Sequence, residues 1–136
     1  MKLALTSFLA FTILALTSCK KDKDSGAEKI SGNYIVYKLI VEDPDDGPLE
    51  YPVPSPDGNH STAIIKVNSD STMSLHLIIF DKQNDTLQQN TWTGRAVKVS
   101  NGDLRFMDGN DWMGTFVDDN EVEIYPDSKS TLYARK

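Results

Sequence analysis

The residues in this sequence that could do chemistry are few, and their spacing follows no catalytic pattern. Two histidines, one cysteine and twenty acidic residues occur among 136. His60 falls in a proline-rich segment, and His76 lies on the polar side of an alternating run. Neither has the His-Glu-x-x-His spacing that grips zinc, and no Gly-x-Ser-x-Gly turn supplies a nucleophile. Both are expected to be solvated or weakly hydrogen-bonded. The acids gather in Asp43-Pro44-Asp45-Asp46-Gly47 and in Asp108-Gly109-Asn110-Asp111. Calcium takes about 6–8 oxygens, and an EF-type loop sets glycine sixth and glutamate twelfth. Neither stretch has that spacing, and Asp, Asn and Gly are also the residues that turns select for backbone reasons. Paired carboxylates hydrolyse a glycoside only across a cleft of about 5–9 Å, for which a small domain has little room. The expectation is a protein that is not an enzyme and carries no metal or cofactor.

Cys19 stands alone, which excludes an internal disulfide framework and any four-cysteine zinc site. The formal charge of −6 argues against nucleic acid, whose binding calls for clustered Lys and Arg. The 39% hydrophobic content suits one globular domain and is too low for a multi-span membrane protein. The best remaining lead is a set of large apolar side chains: Tyr34, Leu75, Leu77, Trp92, Phe106, Trp112 and Phe116, with Met73 nearby in the pattern. Such residues can line a cup for one small hydrophobic ligand, or they can fill a core. Trp112, directly after an acidic turn, can equally mark a rim.

The elements that position these residues are strands. No segment beyond residue 29 has an apolar period of 3.6; short alternating runs broken by turn residues indicate an all-β domain. Runs are predicted at Tyr34–Val41, Ala63–Val67, Met73–Ile79, Thr86–Trp92, through Val97 and Val99, at Leu104–Phe106, Trp112–Val117, Val122–Ile124 and Leu132–Arg135. Asn101-Gly102 is a hairpin signal, since both residues tolerate positive φ. Between the first two runs, Asp43–Ser61 carries five prolines and is expected to be the longest loop, because that proline density excludes a central strand. About eight strands with short turns are best accommodated by closing the sheet on itself. The predicted fold is a small antiparallel up-and-down β-barrel over 30–136, a domain with nine basic and seventeen acidic residues. A β-sandwich is the alternative.

Residues 1–18 are set apart from this domain. Lys2 is followed by an apolar run to Leu16, shorter than the ~20 residues a spanning helix needs. It ends in Leu16-Thr17-Ser18-Cys19, which resembles the lipobox of bacterial lipoproteins. The resemblance implies that 1–18 is a cleaved signal peptide and that Cys19 is lipidated and becomes the first mature residue. Residues 19–29 then form the lipidated Cys and a charged tether with no aliphatic side chain larger than Ala. Lys20 stands where an inner-membrane retention signal would have Asp. Outer-membrane delivery in a Gram-negative envelope is therefore favoured, with the periplasmic or surface-exposed side left open.

Gly32-Asn33-Tyr34 at the first strand and Arg135 at the last carry a second resemblance. The domain is similar to the lipocalin-like domains of bacterial lipoproteins, in which a Gly-x-Trp opens strand one and an arginine of the last strand packs over that ring. Here Gly32 matches, Tyr34 stands for the tryptophan and Arg135 for the arginine. First and last strands of a closed barrel are neighbours, so Arg135 is expected either over the Tyr34 ring or in solvent. The resemblance implies a membrane-anchored, non-enzymatic module that binds a small hydrophobic ligand. Two alternatives stand beside it: an interaction or inhibitor module presenting segment 43–61 to an envelope protein, and an accessory subunit of an envelope complex.

Overall fold

A computed structural model describes residues 29–136. The expected signal peptide, Cys19 and most of the expected tether lie outside the described residues. Nine strands account for nearly all regular structure: β1 Gly32–Asp43, β2 Gly47–Pro52, β3 His60–Val67, β4 Thr72–Phe80, β5 Thr86–Lys98, β6 Leu104–Asp108, β7 Asp111–Phe116, β8 Glu121–Asp127 and β9 Ser130–Arg135. Each of β3 to β8 pairs antiparallel with the next, and β1 closes the ring by pairing with β3 on one side and β9 on the other. The expected eight-stranded antiparallel barrel is thus present, with β2 as an extra strand outside the ring.

The alternating pattern explains which face turns inward. On β4 every second residue from Met73 to Leu77 is buried, and β3 shows the same alternation at Ser61, Ala63 and Ile65. Val122 and Ile124 on β8 and Leu132 and Ala134 on β9 continue the buried set around the ring. Two glycines let the ring curve: a Cβ on Gly94 would lie 2.1 Å from the Met107 carbonyl oxygen, and one on Gly114 would lie 2.6 Å from that of Glu123. The neighbouring backbones cross where side chains would otherwise stand.

Two expectations are corrected. Segment 43–61 is not all loop: Gly47–Pro52 pairs with the second half of β1, from Asp43↔Gly47 to Lys38↔Pro52. The prolines permit this because Val53 N–H donates to Tyr37 O, so that Leu49 and Tyr51 share its inward orientation. Pro48 and Pro52, of opposite parity, set their missing N–H groups on the free edge. Likewise the runs at Thr86–Trp92 and Val97 form one strand, β5, whose first half is polar because both its faces meet solvent.

The two ends of the barrel differ. The near end carries the turns after β3, β5 and β7 and the entry of the chain at Lys29–Ser31. The far end carries the β1–β2 hairpin tip, segment 53–59 and the turns after β4, β6 and β8.

Candidate functional site

Most of the side chains proposed to line a cup meet inside the barrel and fill it. Tyr34 is 0% exposed, Leu75 and Phe106 are 1% exposed, and Leu77 and Phe116 are also buried; Trp92 packs half-buried against them. The Tyr34 hydroxyl donates to Ile30 O at 2.6 Å, which fixes Ile30 as an apolar stopper at the near mouth. Burial, with the negative Asp118 and Asp119 nearby, pushes the Tyr34 phenol up to about 12. Outside the stopper's packing, a cavity of about 300 Å³ remains between Ile30, Ala96, Leu104 and Phe116, with Lys98 and Asp119 at its rim.

Trp112 corrects the expected set. It faces out and is 45% exposed, because the β6–β7 register shifts between Phe106 and Met107 and puts Met113 in the bulge. The arginine also falls elsewhere. The Arg135 guanidinium sits 4.9 Å from the Tyr37 ring, and Lys136 Nζ lies 5.2 Å from the Tyr34 ring. β1 and β9 are neighbours as expected, but Arg135 is exposed on the outer face while Tyr34 points in, so one cannot cover the other. Gly32, with φ +153°, begins β1 beside Lys136.

The outer face of β6, β7, β8, β9 and β1 carries a network that the sequence pattern did not reveal. Arg105 lies 3.9 Å from the Trp112 ring centre, and Trp112 meets Tyr125 edge to face with centroids 5.3 Å apart. The Trp112 indole N–H donates to Gly114 O and Thr115 Oγ1, and the Tyr125 hydroxyl donates to Glu123 Oε2 at 2.8 Å. Tyr133 lies 6.3 Å from Tyr37 and is covered by Lys38 Nζ at 4.2 Å. The Tyr37 hydroxyl donates to Glu121 Oε1. That bond, with burial and the Glu121 charge, raises the Tyr37 phenol to about 12. Desolvation raises Tyr125 to about 12 and Tyr133 upward as well. The opposite half of the barrel presents Thr62, Ile64 and Lys66 on β3, Ser74, His76 and Ile78 on β4, and Thr91, Thr93 and Arg95 on β5. It has no outward Trp or Tyr among these positions. Of the outer rings only Trp112 belonged to the expected set; Tyr37, Tyr125 and Tyr133 each sit next to a buried residue on their strands.

Trp112 and Tyr125 also border a groove of about 650 Å³ at the far end, with Glu42, Asp111, Asp127 and Lys129 on its other walls. This end is strongly charged. Glu42, Asp43, Asp45, Asp46, Asp57, Asp81, Asp85, Asp111 and Asp127 stand there against Lys82 and Lys129. At the near end Asp70, Asp103, Asp118, Asp119 and Glu121 are balanced by Lys29, Lys66, Lys98, Arg135 and Lys136.

The histidines occupy separate sites. His60 opens β3 and stacks on Phe80 at 5.1 Å, and His76 Nδ1 lies 2.6 Å from Thr91 Oγ1 on the outer face. Several turn acids serve the backbone: Asp43 Oδ1 accepts the N–H groups of Asp45 and Asp46, which lowers its carboxyl below the ordinary value. No group of three metal-ligating side chains occurs among the described residues. No protein family, curated protein or solved structure matches the chain.

Proposed function

We propose that the chain is a non-enzymatic lipoprotein, held in the outer membrane of a Gram-negative envelope by a lipid on Cys19. Its lipocalin-like barrel is a protein-interaction module whose contact surface is the ring-bearing half of the outer face. The observation that carries this is segregation. Tyr37, Trp112, Tyr125 and Tyr133 stand together on the four adjoining strands β7, β8, β9 and β1, beside Arg105 of β6 and Arg135 of β9, whereas the interior residues that a ligand would need are spent on each other. Tyr, Trp and Arg are the residues enriched in protein–protein contacts, and the energy there concentrates in a few of them.

A photo-crosslinking residue at Tyr133, introduced in cells making the full chain, tests the interaction. A discrete adduct from Tyr133 and none from Thr91 on the bare half supports it; equal adducts from both, or none, overturn it. Cys19→Ser tests the anchor: the variant should leave the detergent phase of a cloud-point partition for the aqueous phase, and a variant that stays with the detergent refutes lipidation at Cys19.

A second function is favoured by the near-mouth cavity of about 300 Å³, which has room for a small apolar ligand. Native mass spectrometry of the chain after incubation with fatty acids tests it. A bound mass lost on Phe116→Trp, which fills the cavity, supports this use, and a bare protein mass excludes it.

A further inference from the structure

The groove at the far end combines two features that select the same partner chemistry. Its aromatic wall is Trp112 and Tyr125, the indole half-exposed with Arg105 already over its ring and Tyr125 set at right angles to it. Its other walls carry the carboxylates of Glu42, Asp111 and Asp127, together with Lys129. A cationic side chain gains from both the rings and the acids, since ring faces attract cations and carboxylates accept charge-assisted hydrogen bonds. The groove also opens at the most acidic end of the barrel, which carries nine acids and two lysines. Such a field concentrates and steers positive partners.

The chain enters the barrel at the opposite end. Lys29–Ser31 is tied to the near end by the Tyr34 hydroxyl on Ile30 O, by Val67 N–H on Ser31 Oγ and by Lys136 Nζ on Lys29 O. Nine residues lie between Cys19 and Lys29, a reach of at most ~36 Å over ten Cα steps. A lipid on Cys19 would therefore attach the barrel through its charge-balanced near end, opposite the acidic end.

We infer that the far-end groove binds a lysine- or arginine-rich segment of a partner protein, with one cationic side chain set against Trp112 and Tyr125 among Glu42, Asp111 and Asp127. This rests on the interaction role proposed above and names the partner's chemistry and the part of the surface that reads it. The aromatic rows of β9 and β1 then contact the body of the partner, and the groove selects its basic segment.

The test uses the full-length chain in neutral detergent micelles and a decapeptide of alternating Lys and Ser, with binding followed by tryptophan fluorescence and calorimetry. Asp111→Asn with Asp127→Asn removes two groove charges. The Lys129 N–H now caps the turn on Asp127 Oδ1, and the amide oxygen that Asp127→Asn leaves at that position can still accept it. Asp81→Asn with Asp85→Asn removes the same charge at the same end, away from the groove. The groove pair and Trp112→Leu are each expected to weaken the peptide at least tenfold, and the control pair by less than threefold. Equal losses from both charge pairs would mean a diffuse acidic field and no selective groove. A neutral oligosaccharide that quenches the tryptophan signal while the peptide does not would assign the groove to sugars. Either result overturns the inference. A Tyr133 adduct that forms in cells alongside such a failure keeps the interaction role and discards only the basic partner.

Discussion

At Gly94 and Gly114 the absence of a side chain is a structural requirement. A methyl group at Gly94 would meet backbone on β6, with the Met107 oxygen at 2.1 Å and the Phe106 ring at 2.8 Å. The carbonyl cannot step aside without breaking the β5–β6 ladder. Gly94→Ala is therefore expected to cost about 3 kcal/mol, at the upper end of overpacking penalties, and urea denaturation would read it as a lowered midpoint. Gly102, with nothing near its Cβ position but φ +94°, should lose less on substitution. The tyrosines make a second residue-scale prediction. Tyr34, Tyr37 and Tyr125 are raised to about 12 from an ordinary 10. With the folded pKa above the unfolded one, each contributes stability fully present below about pH 10 and lost as pH rises toward 12. Phenolate absorbance near ~295 nm should therefore appear late and coincide with loss of near-ultraviolet dichroism. Full ionisation near pH ~10 with the fold intact would show that these hydroxyls are free.

Among the elements, β2 shows how a proline-rich stretch can still be a strand. It adds to β1 beyond the region where β3 pairs, and only one of its edges is used. Pro48 and Pro52 strip two donors from the free edge, which discourages pairing with a second molecule. Replacing both with Thr should restore those donors and produce concentration-dependent dimers by size-exclusion chromatography; a variant that remains monomeric would show that the edge is protected otherwise. Most strand positions were legible because the period-2 alternation and the Asn/Asp/Gly turns report a half-buried sheet directly. The β2 strand was not, because composition records the prolines and not their parity relative to a partner. The orientation of Trp112 was hidden for a related reason: a single extra residue in β7 reverses the face of everything before it.

For the whole molecule, closure depends on a pairing between chain ends. β9 bonds to β8 along one edge and to β1 along the other, from Ile35↔Arg135 to Val41↔Ser130. Truncation after Thr131 removes the buried Leu132 and Ala134 and leaves two unpaired edges. The truncated chain should lose its cooperative thermal transition and bind hydrophobic dyes; a sharp transition in that variant would show that the ring is dispensable. The same closure sets the chain's entry at the near end and gathers the acidic turns at the other.

Local residue order carries the all-β class, most of the turns, the expected barrel and the lipobox pattern at Cys19. Long-range packing sets the rest: the interior is filled by Tyr34, Leu75 and Phe106, Arg135 lies over Tyr37, and four rings share one outer half. Those outcomes depend on bulges and on cross-strand register. Both are set by the packing of residues far apart in the chain, and no local pattern encodes them.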